Sequence, residues 1–197
     1  LDKEYFGNRM NTLVELLEKN DHYFEHSGNI NRTDKELRHR YCSLIYDQLF
    51  EPLRNLPLDI LEIGTCHGGS LILWHDFFPY ANIVGVDNSD QVYHPVIDTY
   101  QRIALKFDDA YSDKFVSNLY LFDIIIDDGP HTLESHKKFI DLYLPQVRPG
   151  GLLIIEDIRN RDNAKILVDK VKHLNYDLHD SIDQTGNHDN LVLIVKV

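Results

Sequence analysis

The sequence predicts an α/β fold: one seven-stranded sheet, five strands of it parallel, with helices on both faces and a C-terminal antiparallel hairpin. Three observations predict it. From residue 58 onward, short apolar runs alternate with stretches of helix length. Those runs are continuously apolar, as strands buried on both faces must be. The last two runs are joined by Asp183-Gln184-Thr185-Gly186-Asn187, a turn-rich link too short for a crossover helix, so they should pair antiparallel.

In chain order, residues 1–55 hold no strand-like run and are expected to form an N-terminal helical extension or cap on a main domain of residues 56–197. Leu13, Leu16 and Leu17 recur at helical spacing, as do Leu44, Ile45, Leu49 and Leu53. Thr33-Asp34-Lys35-Glu36 reads as a capping box and predicts a helix starting near Asp34. The polar stretch Asn20 to Asn31, with Ser27-Gly28-Asn29, reads as a loop. Strands are expected at 58–63, 83–87, 103–107, 122–126, 151–156, 176–182 and 191–197. Helices are expected at 70–78, 94–100, 111–118, 133–144 and 162–174, the last carrying an apolar stripe of Ile166, Leu167, Val168 and Val171.

Composition bounds the function. The 197 residues are 43% apolar and 26% charged, a globular balance in a chain of single-domain size. A formal net charge of -12 argues against a nucleic-acid partner, whose phosphates are met mainly by Lys and Arg. Two cysteines, Cys42 and Cys66, are too few for a disulfide framework, and reduced thiols in a cytoplasmic protein are the expectation. No apolar run approaches the roughly 18 residues of a membrane span, and the N-terminus has no signal-peptide pattern.

The most informative segment is Ile60-Leu61-Glu62-Ile63-Gly64-Thr65-Cys66-His67-Gly68-Gly69-Ser70, a buried strand, a glycine turn and a helix start. A second apolar run, Ile83-Val84-Gly85-Val86, ends in Asp87. A glycine loop lets a ligand approach the backbone, and an acid at the next strand end can take both hydroxyls of a ribose. The spacing departs from the G-x-G-x-x-G of dinucleotide sites, which disfavours a nicotinamide-linked dehydrogenase. Glu62-x-Gly64-x-x-x-Gly68-Gly69 instead resembles motif I of class I S-adenosyl-L-methionine (SAM) dependent methyltransferases. The resemblance implies their Rossmann-like, seven-stranded sheet. It places Glu62, Gly64, Gly68 and Ser70 at the cofactor, with Ser70 capping the helix, and Asp87 on the ribose. Phe107-Asp108-Asp109-Ala110 resembles the adenine-edge motif, so Asp109 would accept from the adenine amino group.

A second cluster carries the chemistry. Phe122-Asp123-Ile124-Ile125-Ile126-Asp127-Asp128-Gly129-Pro130-His131 is a buried strand ending in acids and a histidine, and Gly150-Gly151-Leu152-Leu153-Ile154-Ile155-Glu156-Asp157 ends in two more acids. Parallel strands deliver these ends to one face, where the carboxylates repel unless a cation or shared protons offset them, and hard oxygen ligands suit Mg2+.

Asp-Asp-Gly-x-His followed by Pro-Gly-Gly-x-x-x-x-Glu-Asp is similar to the metal-dependent O-methyltransferases acting on sugars of macrolide antibiotics. Asp34-Lys35, His39-Arg40-Tyr41, Pro52-Leu53-Arg54 and Gly68-Gly69-Ser70-Leu71 with Trp74 and Phe78-Pro79 extend the likeness. It implies Asp128, Glu156 and Asp157 as metal ligands, His131 as general base, and Asp127 as a support or cofactor contact. A hydroxyl of a sugar or other small molecule would be the methyl acceptor. His136 is expected on a helix surface, and Tyr5, Phe6, Tyr23 and Phe24 are candidates for lining an acceptor pocket, set against core packing as the ordinary role of aromatics.

Two features depart from the pattern. The chain runs from Asp157 through Ile158-Arg159-Asn160-Arg161 straight into a helix, where the family has a long aromatic-rich loop, and Pro130 replaces a small polar residue. Alternatives are a catechol-type O-methyltransferase, disfavoured by Glu156-Asp157 in place of Asp-Asn, and a catalytically silent SAM-binding module. A nucleic-acid methyltransferase lacks its signature after the fourth strand. The N-terminal helices are expected to cover the pocket or support self-association.

Overall fold

The computed structural model describes residues 11–19, 33–89 and 95–197. β1 (Asp59–Ile63), β2 (Asn82–Asp87), β3 (Ile103–Phe107), β4 (Phe122–Asp127) and β5 (Val147–Ile155) run parallel. β6 (Asn175–Asp180) and β7 (Leu191–Lys196) form the antiparallel hairpin, with β7 also antiparallel to β5. The order across the sheet is β3-β2-β1-β4-β5-β7-β6. The link between β6 and β7 contains one helical turn, α7 (Ile182–Thr185), ended by Gly186 at φ +77°, and the hairpin still closes.

Alternation along the central strands divides the core between the two sheet faces. Ile60, Ile124, Ile126 and Ile154 join α3 (Gly69–Phe77) and residues 41–50 in one cluster. Leu61, Ile63, Ile125 and Ile155 meet α4 (Asp113–Val116), α5 (Leu133–Tyr143) and α6 (Arg161–Val171) in the other. α1 (Leu13–Lys19) buries Leu13 and Leu17 against the first cluster. A π-helical turn at Cys42–Tyr46 leads into α2 (Asp47–Phe50). Residues 95–99 form a 3-10 turn where a short helix near 94–100 is expected.

Two expectations are corrected. No helix starts at Asp34: residues 35–39 form turns, Arg40 sits at φ +57°, and the Glu36 carboxylate accepts from Ser43 N at 2.9 Å instead of closing a capping box. The Lys35 side chain is drawn inward, and that long-range attraction overrides a local helix signal. His136 is not on the surface; it is 1% exposed on the face of α5 that also buries Phe139, Ile140 and Tyr143. The loop at 20–31 and the aromatics Tyr5, Phe6, Tyr23 and Phe24 lie outside the described residues. Among the described residues no helix is long and apolar enough to cross a membrane.

Candidate functional site

Strand register assembles the site. Ile63 pairs with Asp127, and Asp127 with Ile155, so the residues that follow emerge at one level of the sheet. Asp128 N donates to Ile63 O at 2.9 Å and Glu156 N to Asp127 O at 3.0 Å, extending the ladder past the strand ends. The order reverses between β1 and β4, which opens a crevice at the carboxyl ends of the strands.

A cavity of about 430 Å³ occupies that crevice, walled by Gly64, Asp87, Asp109, Tyr111, Gly129 and Pro130 among others. Gly64 stands at φ +82°, and a Cβ there would collide with the Asp128 carbonyl, so the loop requires glycine. Asp87 Oδ2 accepts from Cys66 N at 2.9 Å and Oδ1 from Ser89 N at 3.1 Å, fixing the carboxylate at the cavity rim. Asp109 Oδ1 accepts from Tyr111 N at 2.9 Å.

Other predicted cofactor residues stand off the wall. Gly68, at φ +83°, is the N-cap of α3, and a Cβ there would strike Ile97. Ser70 does not cap that helix: its Oγ donates to Glu62 Oε1 at 2.6 Å, while Trp74 Nε1 donates to Glu62 Oε2. Glu62 is fully buried and ties β1 to α3. Asp127 faces the opposite side of the sheet and accepts from the Tyr111 hydroxyl. Burial pushes its carboxyl up to about 7, against the lowering effect of the Tyr111 and Gly129 hydrogen bonds.

The acid cluster lies on the far side of the loop 128–131. Asp128, His131 and Asp157 each offer one ligand atom, all within 4.8 Å of one another. His131 Nε2 is 3.9 Å from Asp128 Oδ1 and 3.8 Å from Asp157 Oδ2. The two carboxylate oxygens, within 4.8 Å of each other, suit a small hard cation that prefers oxygen, and His131 Nε2 stands beside them. His131 (φ +55°) and Asp157 (φ +53°) both hold left-handed backbone conformations without being glycine. Strain of this kind concentrates where side-chain direction matters. Burial lowers the His131 pKa, while the Asp157 carboxylate opposes that shift.

Glu156 is placed differently from its neighbours. Its carboxylate accepts from Lys35 Nζ and from the Tyr46 hydroxyl, and the residue is 1% exposed. Lys35, which no sequence motif singles out as a site residue, joins the cluster here. Its ammonium also lies 2.9 Å from Asp128 Oδ2 and 3.7 Å from Glu62 Oε1. Burial alone would discharge Lys35, but Asp128, Glu156 and Glu62 outweigh it and hold the ammonium well above its ordinary range. Burial likewise drives Asp128 and Glu156 above the usual carboxylate range, with Lys35 opposing.

Two further residues before β1 brace Asp157, one of them anchored by Asn190 just before β7. The Tyr41 hydroxyl donates to Asp157 Oδ1 at 2.5 Å, His39 Nδ1 is 3.5 Å from the same oxygen, and Asn190 anchors His39 at 2.7 Å. Their signal in sequence was four strand-end carboxylates with no named donors.

Comparison with known proteins agrees with this geometry. A family model described as a methyltransferase domain matches residues 61–158. Mycinamicin VI 2''-O-methyltransferase of Micromonospora griseorubida is 34% identical over 120 residues, covering 57% of this chain and 30% of the relative. 8-Demethyl-8-alpha-L-rhamnosyl tetracenomycin-C 2'-O-methyltransferase of Streptomyces olivaceus is 30% identical over 134 residues, covering 64% of this chain and 35% of the relative. The chain thus spans about a third of the length of these relatives. The solved MycE methyltransferase from the mycinamycin biosynthetic pathway, in complex with Mg and SAH, superposes with a TM-score of 0.69 at 27% identity, covering 95% of this chain and 55% of that one.

Proposed function

Because this chain carries a methyltransferase domain of the SAM-dependent class, we propose that it moves a methyl group from SAM to a hydroxyl of a sugar or other small molecule, with Mg2+ assisting. One observation carries the reading. The loop Asp128-Gly129-Pro130-His131 gives Gly129 and Pro130 to the wall of the nucleoside-sized cavity and Asp128 and His131 to the acid cluster. A methyl donor in the cavity and an alcohol at the cluster would therefore be separated by one turn of chain. The relatives' names, which place methyl groups on oxygen, support the same chemistry.

In this reading Asp87 accepts from the ribose hydroxyls and Asp109 from the adenine amino group. Gly64 lets the backbone approach the ligand, Gly68 shapes the start of α3, and Glu62 with Ser70 holds that helix against β1. Asp127, through Tyr111, firms the cavity wall. Asp128 and Asp157 offer oxygens to the divalent ion, and Glu156, the third ligand the sequence pattern implies, stands behind them on Lys35 and Tyr46. When bound, the cation lowers the pKa of the acceptor hydroxyl and fixes its direction. His131, whose pKa burial lowers toward the neutral imidazole, takes the hydroxyl proton as oxygen attacks the methyl carbon and the carbon–sulfur bond of SAM breaks to release SAH. The described part of residues 1–55 caps this machinery on the domain of residues 56–197.

The test is transfer of labelled methyl from SAM to a panel of hydroxylated sugars and glycosides, with Mg2+ or excess EDTA. Label incorporation that disappears in EDTA is expected. Full turnover in EDTA would remove the metal from the account, and SAM binding without transfer to any acceptor would favour a silent binding module.

A further inference from the structure

We propose that His136 is a positioning residue: through one bridging water it holds the ring of His131 with its proton on Nδ1, which leaves Nε2 free to accept. The inference rests on the reading of His131 as general base and concerns the side of its ring that faces away from the acid cluster.

Three ring nitrogens carry it. His131 Nδ1, His136 Nδ1 and His136 Nε2 are buried and find no hydrogen-bond partner among the described residues. Buried polar atoms are almost always paired, by protein or by ordered water. The two rings are inclined at 60°, with their centres 6.5 Å apart. At that spacing the nitrogens are out of direct reach, since a hydrogen bond needs about 2.7–3.2 Å. It matches instead the span of two such bonds meeting at one water, which buried polar groups of this kind commonly hold.

Local structure fixes the pair. His131, at φ +55°, ends the loop after β4, and α5 begins at once in a reciprocal cap. Thr132 Oγ1 accepts from Ser135 N at 3.0 Å, and Ser135 Oγ accepts from Thr132 N at 3.0 Å. The closed turn sets the His136 ring on the buried face of the helix, against the ring of His131. Burial lowers the His136 pKa, so the ring is neutral and offers one lone pair and one N–H.

The tautomer decides whether His131 can act. Its Nε2 faces Asp128 Oδ1 at 3.9 Å and Asp157 Oδ2 at 3.8 Å. Two carboxylates at that end draw the ring proton to Nε2, and a protonated Nε2 cannot take a proton from a hydroxyl. Which nitrogen carries the proton is set by the hydrogen bond that the other side of the ring makes. Nδ1–H donating to the water, which donates in turn to the His136 lone pair, fixes the productive form.

Nitrogen-15 NMR of the histidine-labelled chain, above the histidine titration range, reads which nitrogen is protonated. The wild type should show His131 protonated on Nδ1 and not on Nε2. Its crystals should hold a water within about 3.2 Å of His131 Nδ1 and of one His136 nitrogen. His136→Leu should move the His131 proton to Nε2 and lower kcat by about 10–100-fold. KM and SAH affinity should change by less than about threefold, because the loss is confined to the transition state. His136→Gln, which keeps an acceptor, should recover the wild-type tautomer and most of kcat. A wild-type His131 protonated on Nε2, density without the bridging water, or a His136→Leu variant with unchanged tautomer and kcat overturns the proposal. Should His136→Leu fail to fold, the wild-type spectrum and the water decide it. Full turnover by His131→Ala would sink the general-base reading, and the link between the two rings would still stand or fall on the spectrum.

Discussion

The Tyr41 hydroxyl reaches Asp157 Oδ1 at 2.5 Å, although the residues are 116 positions apart in the chain. Asp157 holds a left-handed backbone, and with Oδ1 engaged by Tyr41 its Oδ2 lies 3.8 Å from His131 Nε2. The segment before β1 therefore belongs to the architecture of the site. Tyr41→Phe removes a buried hydrogen bond to a charged group, and a stability loss of about 1.5–3 kcal/mol is expected in urea titration. A change under about 0.5 kcal/mol, the range of ordinary surface substitutions, would show that the contact is incidental.

Gly64→Ala tests the cavity. The new methyl group would collide with the Asp128 carbonyl at a backbone angle of +82°. The loop must shift, at about 1–3 kcal/mol for a strained backbone position, and SAH binding measured by calorimetry should fall by about tenfold or more as the wall moves. Wild-type affinity in a folded variant would mean that the glycine loop does not face the cofactor.

His131→Ala separates chemistry from binding. Loss of a general base lowers turnover by about 10²–10⁴-fold. SAH affinity should be retained, since His131 is not in the cavity wall. Equal losses in both quantities would make His131 a structural residue.

His136 predicts a pH dependence of stability. Burial, with smaller contributions from His131 and Arg159, depresses its pKa from 6.5 to about 4. Between those values the unfolded chain binds the proton and the native one does not, so stability rises with pH. The contribution is fully present above the unfolded pKa and is lost as pH falls from about 6.5 to about 4, by roughly 3 kcal/mol at most. His136→Leu should flatten that part of the urea-stability profile. An unchanged slope would place its source elsewhere.

Much of this was legible in the sequence, for a physical reason. Continuously apolar strands and the glycine loop are local signals, and they located each strand, the cavity and the meeting of Asp128, His131 and Asp157. His136 was also within reach: it shares its face with Phe139, Ile140 and Tyr143 at spacings of three, four and seven. Lys35 was not. Its place is set by Asp128 and Glu156, 93 and 121 positions away, while its immediate neighbours mimic a capping box. An attraction of that range leaves no periodic trace. The separate fates of Glu156 and Asp157 follow from alternation, which sends Glu156 to the face of Ile154 and Tyr46.

The central claim is that one loop carries a cofactor wall on one side and a cation site on the other. Crystals grown with SAH and Mn2+, measured at the manganese absorption edge, test it most directly. The account predicts SAH in the cavity with its ribose at Asp87, and an anomalous peak between Asp128 and Asp157 beside His131. A manganese peak away from both carboxylates, or SAH outside the cavity walled by Gly64 and Gly129, would contradict it.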